Sequence, residues 1–151
     1  MTTGATAMRA PVMAAAELEA FLASAMPGAT DRIAVLDVGP MTARVRLKVD
    51  DTNVRPGGTV SGPSLMALAD TAMWMAVLAM IGPVALSVTQ HLAIDFLRKP
   101  ALVDVIAHAR IHRLGSRLAV GDVLMYSDGD DSAPVARATV TYSIPSGAQQ
   151  P

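Results

Sequence analysis

One carboxylate stands alone in the middle of this chain. Between residues 56 and 94 the only formally charged side chain is Asp70, and it lies inside the nearly unbroken apolar run 65–81. A carboxylate in such surroundings is costly unless it is paired. One held there is also suited to work as a general base. The plainer alternative is a structural acid bonded to Thr89 or Ser64. Gly62 opens the same run behind Ser61, a residue type that caps helices. Its backbone N–H would sit in the positive end of a helix dipole, a place where a developing oxyanion can be held. The lack of a side chain would let a ligand come close. A glycine needed only for helix-start geometry is the competing reading. His108 and His112 share one face of a strand but lie roughly 13 Å apart there, too far for one zinc ion. Solvated positions are expected for them, and no metal site. Arg98, Lys99, Arg113 and Arg117 fall at strand ends and a turn. Singly they read as surface charge; together they make a case for an anionic ligand.

Composition narrows the chemistry further. Twelve basic and thirteen acidic residues give a net charge of −1. That speaks against an electrostatic nucleic-acid binder or a polybasic membrane surface. Aromatic residues are 3%, too few for a base-stacking platform. There is no cysteine, so disulfides, thiol nucleophiles and thiolate metal sites are excluded. The 151 residues are 52% apolar and 17% charged, enough for one domain with a real core. The expected organisation is a loose tail over residues 1–11, a single domain over 12–145 and a short tail over 146–151. The first eleven residues lack the pattern of a secretory signal. Together with the missing cysteines this points to the cytoplasm.

These candidate residues need elements to place them. Residues 12–26 read as a short amphipathic helix, with Leu18, Phe21, Leu22 and Met26 at three- and four-residue steps. Strands are expected over 32–38 and 42–49, the second with Ala43, Val45, Leu47 and Val49 alternating against Thr42, Arg44, Arg46 and Lys48. Residues 50–59 read as a loop. A long helix follows from Ser61, with Pro63 in its first turn, to Gly82-Pro83. Four strands close the chain, over 85–97, 103–114, 117–126 and 135–144, with an acidic hairpin loop at 128–131. The long helix is close to the lower limit for a bilayer span. Asp70 inside it, the prompt Gly-Pro stop and the amphipathic strands favour a buried core helix instead. An antiparallel sheet wrapped round that helix fits the pattern, an α+β arrangement. A single sheet covers one side of a helix that is apolar nearly all round, so a homodimer at least is expected.

The chain resembles the hotdog-fold thioesterases, in particular the phenylacetate-degradation (PaaI-like) branch. The residues that carry the resemblance are Gly58-Thr59-Val60-Ser61-Gly62-Pro63, Leu68-Ala69-Asp70-Thr71-Ala72-Met73, and Val88-Thr89 through Phe96-Leu97-Arg98-Lys99-Pro100. It extends over about residues 30–145. The family pattern is Gly-x-x-His-Gly-Gly, an acid nine residues after that His, and a strand ending Phe-Leu-Arg-Pro. The resemblance implies hydrolysis of acyl-CoA thioesters, CoA being part of the substrate, with no metal or organic cofactor. It implies that the helix acid acts as nucleophile or as general base for water, and that a backbone N–H polarises the carbonyl. Acid and N–H come from opposite subunits of a homodimer, which can pair into a dimer of dimers.

By position, Asp70 matches the acid, Gly62 the oxyanion glycine, and Thr89 a polar residue that helps place the attacking water. Basic residues in the places of Arg98, Lys99 and Arg117 hold CoA phosphates in relatives, and Trp74 with its neighbouring methionines could border the acyl group. Three positions depart from the pattern: Ser61 stands where the family has His, Pro63 where it has the second Gly, and Arg55 where relatives carry Asn. Arg55 is placed to touch substrate or to pair with Asp70 across the dimer. These departures keep a second reading open, a non-catalytic acyl-CoA-binding protein on the same fold. Neither reading involves nucleic acid or a membrane.

Overall fold

The computed structural model describes residues 9–147. The expected tails fall largely outside these, at residues 1–8 and 148–151. From Arg9 onward the chain is tied down. The Arg9 guanidinium donates to Met80 O at 3.3 Å, and the N–H groups of Val12 and Met13 both donate to Ala79 O. These bonds use the backbone that the sequence reading assigned to the start of the first helix, so α1 begins later, at Ala15–Ala25.

The remaining elements are β1 (Ile33–Gly39), β2 (Thr42–Leu47), β3 (Val54–Arg55), β4 (Thr59–Val60), α2 (Gly62–Ile81), β5 (Val88–Phe96), β6 (Val105–Leu114), β7 (Leu118–Ser127) and β8 (Ala136–Ser143). Six strands form one antiparallel sheet in the order β1-β2-β6-β7-β8-β5. Alternation decides which face is inner. Ala43, Val45 and Leu47 of β2, Val105, Ala107, Ala109 and Ile111 of β6, and Ala136, Ala138, Val140 and Tyr142 of β8 are all buried. The residues between them carry the charges of the outer face, where Arg46 bridges Asp104 and Asp128.

The sheet wraps α2. Ser61 caps that helix by accepting from the Ser64 N–H, and Pro63 lies in the first turn. Gly82, at a φ of 94° that only glycine adopts freely, ends it and returns its N–H to Leu78 O at 2.8 Å. Gly121 on β7 lets the sheet close on the helix: a Cβ there would lie 2.2 Å from Arg110 O and 2.7 Å from the Met73 terminal methyl. α1 covers another side of α2 through Leu18 and Leu22, and Phe21 meets Trp74 edge to face at 5.8 Å. Glu19 fixes α1 to the sheet by accepting from the Val35 N–H at 2.8 Å. Fully burying a Leu, Met or Ile contributes roughly 1.5–3 kcal/mol, and α2 alone supplies Leu65, Leu68, Met73, Met75, Leu78, Met80 and Ile81. α2 is long and apolar enough to cross a membrane, but it is the core helix of this sheet.

Two differences from the sequence reading bear on the site. The stretch expected as plain loop, 50–59, contains the two-residue ladder β3–β4 and a capped turn at 51–53, in which Asp50 accepts from Thr52. The expected apolar strand 85–97 is β5, a sheet edge. Its side chains are mostly exposed, Val88 and Phe96 each at 54%.

Candidate active site

Asp70 is the point where α2 meets the last two strands of the sheet. It sits half-buried on the helix, while Ala69 and Ala72 beside it are fully buried. Thr89 on β5 and Tyr142 on β8 are register partners across the ladder, so their side chains reach the helix together. The Thr89 hydroxyl donates to Asp70 Oδ1. The Tyr142 hydroxyl lies 2.6 Å from the same oxygen and 2.9 Å from the Asp70 carbonyl O. Burial, and next the hydrogen bond to Asp70, push the Tyr142 hydroxyl far above its ordinary pKa, so it remains a protonated donor. Among the described residues no cation pairs with Asp70, and nothing donates to its Oδ2. Of the two plain partners considered for Asp70, Thr89 makes the contact. Ser64 faces elsewhere.

The start of α2 is built differently. Gly62 N–H is a first-turn donor with no acceptor inside the helix. A Cβ on Gly62 would meet the Phe96 ring at 3.3 Å, so the glycine is what allows that ring to lie over the helix start. Around them opens a hollow of about 570 Å³ that also takes in Arg55, Arg98 and Lys99. The chain therefore gathers Gly62, Arg55, Arg98 and Lys99, which are dispersed in sequence, at one site. Arg117 is not among them. It borders a separate hollow with Arg113, Ser116 and Leu118. Trp74 packs on Phe21 and borders neither.

Ser61 turns inward. Its Oγ lies 2.8 Å from Ser64 Oγ, which accepts from Asn53 Nδ2 at 3.0 Å, and its N–H donates to Asn53 O at 2.7 Å. Asn53 is buried and its Oδ1 accepts from the Asp50 N–H. This group borders a second, mainly apolar hollow of about 430 Å³ with Leu22, Met26 and Leu68. Asn53 and Tyr142 are the polar groups that sequence reasoning missed. Asn53 lay in an apparent loop. Tyr142 had the look of a core position in an alternating strand.

Asp70 and Gly62 cannot act on one carbonyl within a single chain. Eight residues of helix separate them by about 12 Å. The Gly62 N–H also points out of the N-terminal end of α2, away from Asp70. Among the described residues no group of three or more His, Asp or Glu is placed to hold a metal. His112 lies beside Asp122 at 3.1 Å on the outer face, and His108 stacks edge to face on Tyr126.

Residues 57–133 match the family model of the thioesterase superfamily. The chain belongs to the thioesterase superfamily. A candidate thioesterase from Silicibacter sp. TM1040 is 42% identical, with 93% of this chain and 96% of that one covered, and superposes with a TM-score of 0.84. The phenylacetic acid degradation protein PaaI from Thermus thermophilus, solved as a variant, is 28% identical over 76% of this chain and 94% of its own, with a TM-score of 0.64. Thioesterase superfamily member 2 of zebra fish, at 21% identity, shares the fold, with a TM-score of 0.72 over 84% of this chain and 94% of that chain. No curated protein matches the sequence. The six-stranded sheet round α2 is thus the hotdog fold of this superfamily.

Proposed function

We propose that this superfamily member is a cytoplasmic acyl-CoA thioesterase of the PaaI-like branch, working as a homodimer, or a dimer of dimers, without metal or organic cofactor. The observation that carries this reading is the Asp70 carboxylate, held by Thr89 and Tyr142 through one oxygen while the other has no donor among the described residues. A group so placed can take a proton from water. The water oxygen then bonds to the thioester carbonyl carbon, and the carbonyl electrons move onto an oxygen held by a Gly62 N–H. Collapse of that intermediate breaks the C–S bond, the electron pair leaving on the CoA sulfur. Direct attack by the carboxylate, through a mixed anhydride that water then opens, uses the same atoms.

The spacing of about 12 Å on α2 supports a site that takes Asp70 and Gly62 from different protomers. The sheet edge at β5 offers the surface for that pairing. Its outward backbone is open, and Leu86, Val88, Phe96 and Leu97 are exposed along it. Joining two such edges removes both from water and satisfies their backbone groups. Arg55, Arg98 and Lys99 beside Gly62 supply the positive charge that CoA phosphates require. Ser61 serves as the helix cap and borders the second, mainly apolar hollow.

Thiol release from short, medium, long and aryl acyl-CoAs tests this, and the chain has no cysteine to add background. Turnover that disappears in Asp70→Asn supports the thioesterase. The second reading, an acyl-CoA binder, is favoured by Arg55 at the family's Asn position and by the inward-facing Ser61 at its His position. Saturable binding with no thiol release from any ester would establish it and overturn the first.

A further inference from the structure

Tyr142 makes a bond that the alternation of β8 does not require. Inner positions of that strand are otherwise Ala136, Ala138 and Val140, all apolar. A phenylalanine would fill the same space. The hydroxyl instead reaches across to α2, to a residue 72 positions away in the chain. A phenol has one proton. The closer approach, 2.6 Å against 2.9 Å, and the charge on the carboxylate assign that proton to Asp70 Oδ1. The Thr89 proton goes to the same atom.

We propose that Tyr142 is a positioning residue that, together with Thr89, fixes Asp70 by Oδ1 and so makes Oδ2 the oxygen that does the chemistry. The terminal torsion of an aspartate is broad and two-fold when nothing holds it. Two donors on one oxygen remove that freedom and aim the other oxygen away from β5 and β8. They also draw negative charge onto the bonded oxygen. Thr89, its proton spent on Oδ1, has only lone pairs to offer a water. It can orient one by accepting from it and cannot donate to its oxygen.

This inference rests on the thioesterase reading, and its test separates the two. Tyr142→Phe keeps the ring and deletes the bond. In acyl-CoA hydrolysis kcat is expected to fall about tenfold with KM within twofold, the signature of a group that matters only in the reacting state. Thr89→Val should do the same and Thr89→Ser should restore most of the loss. A Tyr142→Phe enzyme whose kcat stays within twofold of the wild type, or a Thr89→Ser enzyme that recovers nothing of the Thr89→Val loss, overturns the proposal, since a clamp acts through the two hydroxyls and not through packing.

A crystal structure of Tyr142→Phe gives the same comparison without substrate. The Asp70 carboxylate should turn from its wild-type orientation or spread over two orientations about its terminal torsion, and a carboxylate held as in the wild type overturns the clamp. A carboxylate freed in Tyr142→Phe, in a protein whose wild type hydrolyses no ester, keeps the clamp and overturns only the thioesterase.

Discussion

The two halves of α2 face different worlds. From Met75 through Gly82 every residue is buried within the chain, covered by the sheet, by α1 and by the segment at residues 9–14. From Gly62 to Trp74 the helix keeps an open stripe in which Met66 and Ala67 are exposed and Asp70 and Thr71 half-buried. Both halves are mainly apolar by sequence, the first interrupted by Ser64, Asp70 and Thr71. The difference teaches that composition reports the demand for burial but not which molecule meets it. The C-terminal half completes its core alone. The N-terminal half keeps the surface that the proposed substrate and second copy would cover, and the candidate site lies along it.

The comparison breaks most sharply at Asp70. Asp70→Asn is expected to lower turnover by about a thousandfold, in the range for loss of a positioned base. A half-exposed group that loses only its charge should leave the unfolding midpoint nearly where it was. Thiol-release kinetics and thermal unfolding read the two sides, and a variant that stays active removes Asp70 from the chemistry. The reverse is expected in the buried half. Leu78→Ala should cost about 2–5 kcal/mol in a denaturant titration, with turnover per folded molecule within twofold. Next comes the cationic hollow. Arg55→Ala with Lys99→Ala should raise KM for CoA esters about tenfold while kcat holds, and should flatten the salt dependence of KM. An unchanged KM would place the phosphates elsewhere. The smallest effect belongs to Ser61→Ala. It removes the helix cap and should cost about 1 kcal/mol of stability, with a smaller change in rate. A rate that collapses while stability holds would give Ser61 a chemical role instead.

How much could be read in advance follows from the range of each interaction. α2 was legible at both ends because its signals are local: Ser61 and Pro63 at the start, Gly82 at the stop. β2 and β6 were legible from their alternation. Asp70 stood out because it had no charged neighbours in sequence. Tyr142 did not, since its partner is 72 residues away and only the sheet order brings β8 beside β5. The exposure of β5 was hidden for the opposite reason. Its apolar residues read as core, and only its place at the edge of the sheet shows them uncovered. The gathering of Arg55 with Arg98 and Lys99, and the exclusion of Arg117, likewise depend on β3 and β4 folding back beside the end of β5.

The length of helix between Gly62 and Asp70, about 12 Å, carries a genetic consequence. If each site takes its acid from one protomer and its N–H from the other, two differently broken chains can repair one another. A chain carrying Asp70→Asn is dead alone, and so is one carrying Gly62→Val, whose larger side chain meets Phe96. Their mixed dimer holds one site with both lesions and one with neither. Co-expression of the two inactive chains should therefore return activity that neither possesses, at up to half the wild-type level in the hybrid.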